Sequence, residues 1–233
     1  MPDFPYRNAL IVGAGAGISA SLTRRLSALG VKVALAARDI GKLAALVEET
    51  GAAALQADAS QADSVARLFE EAAKRIGEPE IVVFNASARV PGPLAELDPA
   101  AVEKALAVTA FGGFLVVQQA AKRMIPHGRG AILITGASAS VKGFPQSAAF
   151  AMGKFALRGL AQSAARELGP KGVHVAHFVI DGGVRAAHRP DPTDRPDSTL
   201  DPDAIAQSYV DVLRQPRSAW SLEMELRPWM ERF

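Results

Sequence analysis

Three glycines, Gly13, Gly15 and Gly17, stand at alternate positions directly after an apolar run, in the segment Val12-Gly13-Ala14-Gly15-Ala16-Gly17-Ile18-Ser19. A strand that runs through glycines into a helix aims free backbone N–H groups and the positive helix end at a phosphate. Glycine lets the chain turn tightly and lets a pyrophosphate come close. The same residues also suit a tight turn with no ligand. About 20 residues past Gly17, where a carboxylate would bind a ribose 2′-hydroxyl, stands Ala37. Arg38 follows, a forked cation suited to a phosphate, although Asp39 beside it tempers the attraction. The alternative for Arg38 is a solvated surface arginine.

Other chemistries find little support. The chain has no Cys, which excludes a disulfide scaffold, a thiolate zinc site, an iron–sulfur cluster and a Cys nucleophile. His174 and His177 lie three apart in an apolar run, so a regular strand points them to opposite faces and they cannot share one metal. His127 follows a helix beside Pro126 at a turn position, and His188 lies in a polar loop as a candidate acid. The sequence holds neither an H-E-x-x-H pattern nor a Gly-x4-Gly-Lys-Ser/Thr loop, and no metal site is expected. Lys plus Arg (26) nearly balances Asp plus Glu (24), which argues against nucleic-acid or anionic-lipid binding.

Those glycines need a scaffold. Apolar runs of strand length occur at Ala9–Val12, Val31–Ala36, Ala53–Ala57, Ile81–Phe84, Ala131–Thr135 and Val173–Ile180. Several are continuously apolar, as expected of parallel strands covered on both faces. Between them lie helical periods. Ile18, Leu22, Leu26 and Leu29 share one face, as do Val65, Leu68, Phe69, Ala72, Ala73 and Ile76. Ala101–Met124 reads as one long helix weakened by Gly112 and Gly113, and Phe150–Leu168 as another ended by Gly169-Pro170. Ala204–Arg214 follows as a helix, then an alternating strand through Trp220, Leu222, Met224 and Leu226. The alternation predicts a doubly wound α/β sheet with right-handed crossovers. The 233 residues form one domain, with 187–202, rich in Pro and Asp, as a mobile loop on the substrate side. The N-terminus lacks a signal-peptide pattern, and no uninterrupted apolar stretch reaches the ~18 residues of a membrane span, so a soluble cytoplasmic chain is expected.

An ordered set of residues resembles the short-chain dehydrogenase/reductase family across essentially the whole chain. Gly13 and Gly17 match the first and middle glycines of its TGxxxGxG pattern, with Val12 for Thr and Ser19 for the last Gly. Asp58 looks like the family aspartate near the adenine, and Asn85-Ala86-Ser87 like its NNAG turn. Lys154 matches the lysine of YxxxK, and Asp181-Gly182-Gly183-Val184 resembles its PG turn with Asp for Pro. The resemblance implies a Rossmann-type sheet of seven parallel strands, order 3-2-1-4-5-6-7, with helices on both faces. It implies a nicotinamide dinucleotide held by Gly13, Gly15, Gly17, Ile18, Arg38, Asp58, Asn85, Ala86, Lys154 and Val184. Ala37-Arg38 favours NADP(H) over NAD(H).

The family's catalytic group of Asn, Ser, Tyr and Lys is largely replaced here. Lys154 is present, but the Tyr position is Phe150 and the Ser position is Ala137, with Ser138 beside it. The Asn position falls on Thr109. Phe carries no proton, so an oxidoreductase would need another donor: Ser138, Ser140, Thr109, a water placed by Lys154, or the substrate itself. One reading is hydride transfer to or from a small carbonyl or alcohol. The other is an NADP(H)-binding sensor, scaffold or partner subunit without chemistry. Arg89, Arg185, His188 and Arg189 flank the expected substrate mouth and suit an anion, or are simply solvated. The small residues of Phe150–Leu168, with the family's four-helix contact, imply a homodimer or homotetramer. The tail residues Trp220, Trp229 and Phe233 suit a second interface or intramolecular packing.

Overall fold

The computed structural model describes residues 4–186 and 189–231. The strands are β1 (Asn8–Val12), β2 (Lys32–Ala37), β3 (Ala53–Gln56), β4 (Ile81–Phe84), β5 (Gly130–Thr135), β6 (Val173–Ile180) and β7 (Glu223–Leu226). They form one sheet in the order β3-β2-β1-β4-β5-β6-β7, every adjacent pair parallel. The helices are α1 (Ile18–Ala28), α2 (Ala44–Thr50), α3 (Ala62–Ile76), α4 (Pro99–Leu106), α5 (Gly112–Met124), α6 (Ala148–Leu168) and α7 (Pro202–Leu213).

The pleat divides each strand between two cores. Leu10 and Val12 of β1, with Val82 and Phe84 of β4, pack under α3, α5 and α6. Ala9, Ile11, Ile81 and Val83 point the other way, toward α1, α2 and α7. Each large side chain so buried contributes roughly 1.5–3 kcal/mol. The strand order reverses between β1 and its two neighbours, β2 and β4, and the crevice beyond the carboxyl ends there is where such sheets bind ligands.

Local chemistry sets the helix ends. Asp98 caps α4 by accepting from the backbone N–H groups of Ala100 (3.1 Å) and Ala101 (3.2 Å), with Pro99 at the first position. Asp201 caps α7 in the same way, accepting from Asp203 N at 2.9 Å. In α3 the buried stripe Val65, Leu68, Phe69, Ala72 and Ile76 is the one read from the sequence, and Gly77 ends the helix with φ 88°.

Two readings need correction. Ala101–Met124 is not a uniform α-helix: a π-helical stretch, Ala107–Phe111, joins α4 to α5. Such an insertion leaves no mark in hydrophobic period, because it is a one-residue slip of the hydrogen-bond ladder. Gly112 is there for packing: a Cβ on it would lie 2.8 Å from the carbonyl oxygen of Ala59. By length and composition the helix Pro99–His127 could cross a bilayer, but Val116, Val117, Ala120 and Met124 are buried against the sheet. Second, α2 lies where the alternation places a helix, but its bounds leave no mark in the sequence. It has seven residues and buries only Leu46, too little for a period. Boundaries shift by a few residues elsewhere. β2 begins at Lys32, β3 stops at Gln56, α6 begins at Ala148, α7 begins at Pro202, and β7 spans only Glu223–Leu226.

One buried polar pair sits directly below the site. The Tyr209 hydroxyl and Thr135 Oγ1 are 2.8 Å apart, and the Tyr209 ring stacks on Phe178 at 3.7 Å. Tyr209→Phe leaves the Thr135 hydroxyl unpaired and should cost about 1–2 kcal/mol in urea denaturation. Adding Thr135→Val should recover most of it. An undiminished loss in the double variant would place the effect in ring packing instead.

Candidate active site

The turn after β1 packs against the turn after β4. Gly13 has φ 85°, and a Cβ there would lie 2.3 Å from the backbone nitrogen of Ala86. Its N–H and that of Ala14 both donate to Ala36 O at 3.0 Å, tying the turn to β2. Gly15 differs: its φ is not in the left-handed region and nothing lies within 4 Å of where its Cβ would be. Its missing side chain faces a cleft of about 410 Å³, lined by Gly13–Ala16, Arg38, Asp58, Asn85 and Ala86 among others. A Cβ on Gly15 would project into this open space, at the junction where a strand runs through glycines into a helix. The residues present therefore fit a dinucleotide phosphate.

Asn85 locks the two turns together. Its backbone N–H donates to Val12 O (2.8 Å), and its side-chain amide donates to Gly13 O (3.2 Å) and to Ser19 Oγ (2.9 Å). Ser19, which departs from the family's glycine, thus supplies the acceptor for Asn85. At the other end of the cleft, the Asp58 carboxyl accepts from Ser60 Oγ (2.7 Å) and Ser60 N (2.9 Å). These bonds, with a smaller contribution from the Arg38 charge, hold it below the usual carboxylate range. Asp39 does not pair with Arg38. It accepts from Gly41 N (3.1 Å) and meets Lys42 Nζ at 3.4 Å.

A second cleft, of about 540 Å³, adjoins the first at Asn85 and Ser87. Ile18, Val184, Ser138, Phe150 and Lys154 line it. The Lys154 side chain is buried, and its ammonium donates to Thr135 O at 2.7 Å. Burial first, and the charge of Arg89 second, lower its pKa to about 7. The Phe150 ring lines the same cleft, with Lys154 Nζ at 5.8 Å from its centroid. The Arg89 guanidinium lies over the same ring at 3.9 Å.

The substitute hydroxyls are mostly committed. Thr109 sits in the π-helical stretch, buried, and accepts from Ala88 N at 3.0 Å, so it anchors the loop after β4 rather than lining either cleft. Ser140 is fully buried and accepts from Ala137 N at 3.1 Å. Ser138 lines the cleft, close enough to the Asp181 carboxyl to favour its ionised form. Burial raises the Asp181 pKa, yet the bonds from Ser138 and Lys142, then the Lys142 and Arg227 charges, bring it below the usual range. The ionised carboxylate lies 3.3 Å from Lys142 Nζ and 3.5 Å from Arg227 Nη2.

His174 and His177 point to opposite faces, as the alternation requires. His174 donates to Ser221 O (2.8 Å) and stacks on Trp220, while His177 Nδ1 meets Glu223 Oε2 at 3.0 Å. Burial lowers both pKa values. Trp220 therefore packs within the chain. His188 and Phe233 lie outside the described residues.

The loop after β6 is tied internally. Arg185 pairs with Asp191 (3.2 Å) and Asp201 (2.6 Å), and Asp191 accepts from Thr199 N (2.9 Å) and the Thr199 hydroxyl. Arg185 is thereby withdrawn from the mouth, whereas Arg89 and Arg189 line the second cleft.

Residues 7–192 match the family model for short chain dehydrogenases. L-2,3-butanediol dehydrogenase of Corynebacterium glutamicum is 30% identical over 185 residues, covering 76% of this chain and 71% of the relative. The crystal structure of a short-chain dehydrogenase from Rhodopseudomonas palustris superposes with a TM-score of 0.82 at 36% identity, covering 96% of this chain and 99% of that one. A metagenomic short-chain oxidoreductase in complex with NADP superposes with a TM-score of 0.84 at 28% identity, covering 97% and 98%.

Proposed function

This chain belongs to the short-chain dehydrogenase family, and from that premise we propose that it binds NADP(H) and transfers hydride to or from a small carbonyl or alcohol through an altered active site. The observation that carries the proposal is Lys154. A buried ammonium without a carboxylate partner is costly, and only a carbonyl oxygen meets it here. A ligand that accepts from its remaining N–H groups would offset that cost. When bound, the nicotinamide supplies or receives the hydride. Lys154 would hold the ribose and, with its pKa near neutrality, provide the proton that Phe150 cannot.

Arg38 supports a preference for the 2′-phosphate, since it lines the cleft beside Ala37 and no ion pair withdraws it among the described residues. Calorimetric titration should find NADPH bound more tightly than NADH. Arg38→Ala should weaken NADPH by roughly 10–100-fold and leave NADH nearly unchanged, the loss of one charge-assisted contact. Equal affinities in the unaltered protein would remove the NADP(H) preference.

The second reading, a nucleotide-binding subunit without chemistry, is favoured by one observation: Phe150, the ring that lines the cleft beside Lys154, carries no proton to give. Deuteride transfer from labelled NADPH to a panel of ketones and aldehydes separates the two. Binding without transfer to any member would favour the sensor or scaffold. Self-association as a homodimer or homotetramer is proposed on the exposed Phe111, Phe114, Met152 and Phe155, which a second copy would cover.

A further inference from the structure

We propose that the second cleft accepts a carbonyl or alcohol substrate that carries a carboxylate, and that Arg89, laid on the Phe150 ring, binds that carboxylate. The carbonyl half of this substrate rests on the oxidoreductase reading above. The carboxylate half rests on the charges of the cleft.

Three cations line this cleft: Arg89, Lys154 and Arg189. No Asp or Glu lines it among the described residues. The three are close enough to oppose one another's charge. Arg89 disfavours the Lys154 ammonium, and after burial the Arg189 charge disfavours the Arg89 guanidinium. Several other arginines are paired: Arg24 with Glu49, Arg158 with Glu223, and Arg185 with Asp191 and Asp201. Like charges gathered on one cavity, with no acidic side chain among the described residues that line it, are relieved by an anion that enters it.

Phe150 gives Arg89 its orientation. With its Cζ over the ring at 3.9 Å from the centroid, the guanidinium engages the π face of Phe150. Its in-plane N–H donors stay free, in the fork geometry that grips a carboxylate with two parallel bonds. The replacement of Tyr by Phe is then more than a lost proton donor. It leaves a bare aromatic platform for a cation at the substrate wall. Phe144 and Pro145 on the same cleft provide an apolar surface for the rest of the molecule.

The test uses the full chain saturated with NADP+, so that an oxidised ligand binds without turning over. Calorimetry is run with 2-, 3- and 4-oxo acids and with their methyl esters. At least one acid should bind about tenfold or more tightly than its ester. Arg89→Gln should erase that difference and leave NADP+ affinity within about threefold, because the pyrophosphate belongs to the glycine cleft. Esters that bind as well as acids, or no binding of any acid, would overturn the proposal. So would an acid preference that persists in Arg89→Gln. A parallel loss of NADP+ affinity would assign Arg89 to the cofactor's phosphates and overturn it too. Acid binding without deuteride transfer to any carbonyl would support the anion site while the oxidoreductase reading fails, so the two failures are distinguishable.

Discussion

Gly15→Val should leave the thermal midpoint of the cofactor-free protein within about 2 °C of the parent and weaken NADP(H) binding on the order of 100-fold, or ~2.7 kcal/mol. The unliganded chain gives no reason for glycine at this position. Its φ is not in the left-handed region, and no atom lies within 4 Å of its would-be Cβ. A valine side chain would project into the space lined by Arg38, Asp58 and Asn85, where the backbone must approach a phosphate. Gly13→Ala is the contrasting variant. Its φ of 85° and the 2.3 Å approach to Ala86 N make any Cβ a strain on the fold itself. It should cost roughly 3 kcal/mol or more in chemical denaturation whether or not nucleotide is present. If Gly15→Val binds NADPH like the parent, the glycine turn is a structural feature and the cradle lies elsewhere.

These two glycines also mark how far the sequence can be read. β4 and β6 occur over the same residues that their apolar runs delimit, because strands covered on both faces are continuous in hydrophobicity. The glycine turn and Arg38 were legible for a related reason: their chemistry is local to one strand–helix junction. What escaped was pairwise. Ser19 as a substitute for glycine makes sense only beside Asn85, 66 residues away. Asp181 as a substitute for proline makes sense only beside Ser138, Lys142 and Arg227. Phe150 as a substitute for tyrosine acquires a role only once Arg89 is seen on its ring. Each departure looks like a loss along the chain, and each gains a partner across the crevice.

Lys154→Met should act in opposite directions on stability and function. Burial, aided by the Arg89 charge, brings the Lys154 pKa from 10.5 to about 7 in the folded chain. Between those values the unfolded chain binds more protons than the folded one, so the parent gains stability as pH rises, by up to ~1.4 kcal/mol per pH unit. The deficit is full below about pH 7 and is relieved as pH approaches 10.5. Methionine fills a similar volume without charge, at the smaller cost of leaving Thr135 O without its donor. The variant should be a few kcal/mol more stable than the parent at pH 6–7, and the gap should close with rising pH. Comparing the two proteins cancels the titrations they share; His177, whose burial-lowered pKa the Lys154 charge lowers further, is the exception, and it titrates below the pH 7–10.5 window. NADPH affinity should fall at least tenfold in the same variant, and deuteride transfer should be lost. A strained cation kept at a site at the expense of stability is expected where a ligand completes it. A stability gap that does not change with pH would mean that Lys154 titrates alike in the folded and unfolded chains, its charge already compensated within the fold, and the buried ammonium would no longer call for a ribose or a carboxylate to satisfy it.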